Sequence, residues 1–277
     1  MFGGLALTSA VLLTGCDSVV GIPDDNAPAA AAPTTTPAAA PTTTPPSTTA
    51  LSPIPADAPA VGAVSGLPAA ADAVRRWAAD LESGNLPELQ AKCWTIAPRN
   101  VADMYDDPQA IRTALAQPGT ATRDTITWKS ATTTVVVHRA AVDTGYACPR
   151  VATAGADIEY NDADARHTVR RYLARFVGEP LDPSDQESDH PLICKASAAT
   201  WDPSGTGQPV SAPLATSQGT PLTGATGFAD QELRSEQLSA NYIAVLVPVT
   251  NASGVTRSRT FTLLSGPDGY CIGDVSS

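Results

Sequence analysis

Ala73-Val74-Arg75-Arg76-Trp77 returns 95 residues later as Thr168-Val169-Arg170-Arg171-Tyr172. Each stretch sits inside a longer apolar rhythm. Val74, Trp77, Ala78 and Leu81 recur at spacings of three and four in the first, and Val169, Tyr172, Leu173 and Phe176 do so in the second. That spacing places the apolar side chains on one face of a helix. Each run then meets a glycine, Gly84 or Gly178, which is a stop signal. Asp72 and Asp164 lie near the two helix starts, where a carboxylate can cap the helix and favour its dipole. The folded body reads as a duplication.

The residues after each helix extend the parallel. A second short helix is expected over residues 87–94 in the first half and over about 190–199 in the second. Strands come next. Residues 124–142 form two β-rich runs, including Thr132-Thr133-Thr134-Val135-Val136-Val137. Tyr242-Ile243-Ala244-Val245-Leu246-Val247-Pro248-Val249 and residues 256–264 flank Asn251-Ala252-Ser253-Gly254, a polar hairpin connection. Arg257 and Arg259 alternate with other residue types, so one face of that strand is expected to be wet. Gly145-Tyr146-Ala147-Cys148 matches Gly269-Tyr270-Cys271 with one residue fewer.

The N-terminus reads differently. Residues 5–15 are small or apolar, too few to span a bilayer that needs ~20 helical residues. They fit the apolar region of a secretory signal over 1–15. The run ends on Leu13-Thr14-Gly15-Cys16, which resembles the lipobox of bacterial lipoproteins. That resemblance implies cleavage before Cys16, thioether lipidation of its sulfur and acylation of the new amino terminus with palmitate-type chains. Two or more acyl chains anchor stably where one does not. No Lys or Arg precedes the apolar run, so the natural start is expected upstream of Met1. Residues 17–66 are a tether, since 31 of those 50 residues are Pro, Thr or Ala and no apolar periodicity survives. Such a segment buries too little apolar surface to order itself. Extended in polyproline II it could reach ~150 Å. Its Thr-rich repeats are also candidates for O-glycosylation.

With Cys16 assigned to the lipid, Cys93, Cys148, Cys194 and Cys271 remain, two per half. Each half has one near its second helix and one on its expected final strand. Four cysteines allow three connectivities. Only Cys93–Cys148 with Cys194–Cys271 treats the halves alike, and export favours bridges. Zinc is the rival, although no Cys-x-x-Cys pair exists and the three histidines are scattered.

A helix pair followed by a curved antiparallel sheet, about 100 residues long, resembles the NTF2-like (cystatin-like) cone. The ending Thr256-Arg257-Ser258-Arg259-Thr260-Phe261-Thr262-Leu263-Leu264-Ser265-Gly266-Pro267-Asp268-Gly269-Tyr270-Cys271-Ile272 is similar to the last hairpin of exported members. The expected class is α+β: two tandem NTF2-like modules over 67–157 and 158–277, after a disordered stalk over 16–66. The expected boundary lies within residues 153–162.

Candidate chemistry is sparse. His138 sits in a Val-rich strand, His167 follows Arg166 in a helix, and His190 borders an acidic loop; none has a nucleophile at recognisable spacing. Asp162-Ala163-Asp164 reads as capping, because no EF-hand loop follows. Glu179, Asp182, Asp185, Glu187 and Asp189 read as a solvated insertion. NTF2-like enzymes place a Tyr and an Asp in the cone, and Tyr105, Tyr146 and Asp103 are the residues available for such roles. Fold alone does not assign them. No catalytic residue, cofactor or metal site is expected.

Charge narrows the partners. The net charge is −11, with 10 acidic and 9 basic residues in 67–157 and 14 and 8 in 158–277. A nucleic-acid binder needs a basic face, and unaided adhesion to anionic phospholipid is opposed. The expected role is a non-enzymatic lipoprotein on the outer face of the cell membrane, binding or scaffolding an envelope protein. The alternative is a carrier of a small apolar or lipid ligand in the cone. Resemblance to paired NTF2-like modules in exported conjugation and secretion machinery implies the first.

Overall fold

Helix α1 (Pro68–Ser83) begins on a proline, whose missing N–H costs nothing at a helix start. It ends at Gly84 in the left-handed region, with φ 69°, where glycine meets no Cβ penalty. Between them the apolar stripe of Val74, Trp77, Ala78 and Leu81 is buried. The computed structural model describes residues 53–196, 199–216 and 222–276. The signal segment 1–15, Cys16 and the tether as far as residue 52 lie outside the described residues.

Three further helices follow: α2 (Leu86–Lys92), α3 (Pro98–Met104) and α4 (Pro108–Leu115). Asn85 and Asp107 cap α2 and α4 by accepting from Glu88 N and Ala110 N. The chain then forms β1 (Thr120–Ala121), β2 (Thr125–Lys129), β3 (Thr133–His138), helix α5 (Arg139–Asp143) and β4 (Arg150–Thr153). The sheet is antiparallel in the order β1-β2-β3-β4. α4 packs on β2 and β3, and one core collects Trp77, Ile111, Leu115, Ile126 and Trp128.

This core reaches back into the expected tether. Val64 is buried and bridges Gly119 as a parallel neighbour, and Trp128 Nε1 donates to the Gly62 carbonyl at 2.9 Å. A Cβ on Gly62 would lie 1.8 Å from the Gln117 carbonyl oxygen, so only glycine allows this approach. Residues 61–64 therefore belong to the fold, and the tether ends before residue 66.

The second half opens on α6 (Asp162–Phe176), held by a full capping box. The Asn161 side chain accepts from Ala163 N and Asp164 N, while the Asp164 side chain accepts from Asn161 N. After the short α7 (Pro213–Thr216) come β5 (Ala225–Phe228), a 3-10 turn at Asp230–Glu232 and β6 (Arg234–Ser239). β7 (Tyr242–Asn251), β8 (Thr256–Gly266) and β9 (Gly269–Ser276) complete it. The strands run antiparallel in the order β5-β7-β8-β9, with β6 also paired to β7. α6 packs across this sheet, and Val169, Tyr172 and Leu173 share a core with Val245, Phe261 and Ile272. The architecture is α+β with two antiparallel sheets.

Two local expectations change. No helix forms over the described part of 190–199. Leu192 and Cys194 instead bond to both backbone groups of Ile272, extending the sheet beside β9. Cys148 lies two residues ahead of β4 rather than on a strand, because Pro149 cannot donate to a ladder. The bridges themselves are Cys93–Cys148 and Cys194–Cys271, one per half, so these four thiols are not available to zinc. Closing such loops stabilises by about 4 kcal/mol each in the chain-entropy model.

Candidate functional site

Asp164, His167 and Arg171 of α6 face the first half rather than water. Arg150 grips Asp164 with two bonds, Nη2 to Oδ1 at 2.8 Å and Nη1 to Oδ2 at 3.3 Å. Its guanidinium also lies over the Tyr160 ring, 4.2 Å from the centroid. Asn100 and Asn161 exchange side-chain amide bonds of 3.0 Å in both directions. The Trp94 carbonyl takes a 2.7 Å bond from His167 Nε2, and Arg171 lies 4.9 Å from the centre of the Trp94 ring. His190 meets the same indole edge-on. Charge-assisted and bidentate bonds are the stronger kind, so the seam between the halves is a built polar interface.

Behind it stands a buried ion cluster. Asp185 is fully buried and accepts from Arg171 Nη2 at 2.6 Å and from Arg175. Burial pushes the Asp185 carboxyl up, but the two guanidiniums outweigh it and hold it below the usual carboxylate range. Glu187 takes Arg175 at 2.8 Å and the backbone N–H of Leu192 and Ile193 at 2.9 Å. Two of the five acidic loop residues thus tie the loop to α6 and to the segment beside β9. The expectation of a solvated insertion fails here.

The other candidates scatter. Tyr105 is buried and donates to the Pro149 carbonyl at 2.6 Å, while Asp103 is exposed beside Arg99. Tyr146 donates to Asp80 Oδ2 at 2.6 Å, a Tyr–Asp contact the sequence did not suggest. Burial first, then that carboxylate, raises the Tyr146 phenol pKa. His138 faces Asp268 of the β8–β9 turn across the seam, with 3.8 Å between Nδ1 and Oδ1. Asp162 pairs with Arg166. No group of three or more His, Cys, Asp or Glu arranged for a metal occurs among the described residues. Nor is any described helix long and apolar enough to cross a membrane.

Clefts open along the seam among the described residues. One, about 770 Å³, has carboxylates at Asp103, Asp106, Asp107, Asp157 and Glu159. A second, about 450 Å³, lies around His138, Tyr160 and His190. The third, about 360 Å³, sits between α3 and α6. Clefts between modules are the usual place for ligands.

His167 makes the seam sensitive to acid. Burial, partly opposed by the Trp94 carbonyl bond and then reinforced by Arg171 and Arg170, lowers its pKa to about 4. An unfolded histidine titrates near 6.5. The unfolded chain therefore binds more protons between those values. Stability from this group is complete above pH ~6.5 and is lost as pH falls toward about 4. The loss expected is about 3 kcal/mol. Denaturant midpoints from pH 7 to 4.5 should fall in the native chain and fall less in His167→Gln. Equal slopes in the two would remove His167 as the cause.

Fold and bridges together define the class: an α+β protein whose described residues form one hydrophobic core in the first half, which holds Cys93–Cys148, and a larger and a smaller one in the second, the smaller holding Cys194–Cys271 beside Trp201 and Tyr242, with a buried polar seam between the halves. Compared with protein-family models, curated protein sequences and solved structures, the chain has no significant match.

Proposed function

We propose that this chain is an exported lipoprotein, anchored at the outer face of the cell membrane through lipidated Cys16. Its body is a non-enzymatic binding or scaffold module for an envelope protein partner. The observation that carries this reading is the pair of bridges, one inside each half. Disulfides persist in oxidising compartments outside the cytosol, which is where Leu13-Thr14-Gly15-Cys16 would deliver the chain. The tether lifts the body from the bilayer, and the ion-paired seam keeps the surfaces of both halves in one arrangement for a partner.

The halves 67–157 and 158–277 are read as NTF2-like modules. A helix laid across an antiparallel sheet supports this in each half, most clearly α6 on β5–β9. Because Val169, Tyr172 and Leu173 are buried in that core, a surface is preferred to an apolar cone cavity as the binding element.

The anchor is tested by expressing the chain with its native upstream region. The unmutated protein is expected in the detergent phase after phase partition, and Cys16→Ala in the aqueous phase. Retention of Cys16→Ala in the detergent phase would sink the anchor. Cross-linking in the envelope should then capture a protein; a co-purified lipid would favour the carrier instead.

A further inference from the structure

Strand β4 is an edge: among the described residues it pairs with β3 alone. Ala152 lies opposite Thr134 and Arg150 opposite Val136, and Ala154 N donates to the Thr132 carbonyl at 2.8 Å. In an antiparallel ladder only alternate residues bond a given neighbour. Arg150, Ala152 and Ala154 therefore bond β3, while Val151 and Thr153 turn their backbone groups the other way. The Thr153 carbonyl accepts from Ala156 N at 3.0 Å. The Val151 N–H, the Val151 carbonyl and the Thr153 N–H have no partner among the described residues.

This open edge borders the cleft of about 770 Å³. Side chains alternate between the two faces of a strand, so a cleft lying on one face would touch every second residue. This cleft touches Arg150, Val151, Ala152 and Thr153 in succession, which places it along the edge. Its other walls come from α3, the start of α4, the start of β3 and the loop after β4. The walls are acidic. Asp103 is shared with Arg99, and Asp107 caps α4. Asp106, Asp157 and Glu159 are exposed and have no cationic partner among the described residues. Arg150, the cation in the wall, is committed to Asp164.

We propose that β4 takes up a basic, extended segment of a protein partner as an added strand. Strand addition draws affinity from backbone hydrogen bonds and specificity from the flanking side chains. The open groups of Val151 and Thr153 supply the bonds, and Asp106, Asp157 and Glu159 select Lys and Arg by charge. A second copy of this chain is the poorer occupant. It carries a net charge of −11 and brings the same acidic walls, so repulsion opposes pairing of two β4 edges. Charge is a common guard of open edges against self-association. The inference deepens the scaffold reading and rests on it for the presence of a protein partner.

The test titrates the full chain with short end-capped peptides, up to ~1 mM, by isothermal calorimetry. One peptide alternates Lys and Val, a second Glu and Val, and a third Lys and Pro. The Lys–Val peptide is expected to bind, to weaken as salt is added, and to protect the Val151 and Thr153 amides from hydrogen exchange. The Glu–Val peptide should not bind. The Lys–Pro peptide keeps the charge but cannot donate to a ladder, so it should bind about tenfold more weakly. Combined Asp106→Asn, Asp157→Asn and Glu159→Gln, all exposed and therefore expected to fold, should weaken the Lys–Val peptide about tenfold. Glu236→Gln, exposed on the edge strand β6, should not change its affinity. No binding, equal affinity for the Lys–Pro peptide, or unchanged affinity in the triple variant overturns the proposal. So does protection of the Val151 and Thr153 amides by self-association before any peptide is added. The titration needs neither lipid nor envelope, so its failure leaves the anchor and the cross-linked partner standing, and their failure leaves the titration readable.

Discussion

Asp185→Asn should destabilise the folded body by about 3–5 kcal/mol, the cost of removing one member of a buried ion cluster. The carboxylate is 0% exposed and takes Nε and Nη2 of Arg171 together with Nη2 of Arg175. Asparagine keeps the shape but removes the charge and one acceptor, and its NH₂ would point donors at donors. Arg171 would then lose its bidentate carboxylate and share a single neutral oxygen with Arg175, beside the Trp94 ring, and Arg175 would keep Glu187 and the His190 carbonyl. The cost comes from stranding two nearly buried cations, not from the intrinsic worth of the pair. A second effect is expected at the seam, because this loop also sets His190 against Trp94. Denaturant unfolding at pH 7, well above the carboxylate's titration, measures the loss. A change under 1 kcal/mol would mean that the loop is a solvated insertion after all.

The sequence alone would favour that last outcome, and the reason is physical. Five carboxylates in eleven residues resemble a hydrated segment, and burial of one depends on arginines ten and fourteen positions upstream. Arg171 and Arg175 are four apart on a helix, which presents both guanidiniums to one side; that was the available clue. The repeated helices were legible because their apolar stripes are local. Helices α3 and α4 were not, since each is only two turns long; α4 does carry Ile111, Ala114 and Leu115 at helical spacing, but over too short a run to stand out. Their signal was proline: Pro68, Pro98 and Pro108 each open a helix, and Pro87 sits one residue inside another. The cysteine pairing came from symmetry between the halves. The expected helix near residue 190 failed on the same symmetry, because the open side of β9 competes for that backbone. The cleft between α3 and α6 was invisible, since Arg99 and Arg166 are brought to one cleft only by the seam.

How tightly that seam couples the halves decides the result of Trp77→Ala. Trp77 is fully buried and meets Tyr105 edge-on, with ring centroids 4.9 Å apart. Truncating a core tryptophan costs about 3–5 kcal/mol through lost transfer energy and the cavity left behind. If the halves were separate modules in the energetic sense, distant sites would add independently and the second core would not notice. The contacts argue otherwise. Tyr105 bonds to the Pro149 carbonyl, and the next residue, Arg150, is the bidentate partner of Asp164. Asp164 is buried and belongs to the capping box of α6, whose Asn161 also needs Asn100 of the first half. Unfolding the first half alone would leave a buried carboxylate without its cation and part of the cap without its amide. The expected result is therefore a single cooperative transition, lowered as a whole by Trp77→Ala. Hydrogen exchange should show amides of β7 and β8 losing the same free energy as those of β2 and β3. Fragments 67–157 and 158–277 expressed separately should not reach native stability. If β7 and β8 keep their protection while β2 and β3 lose it, the halves are independent folding units and the seam only aligns them.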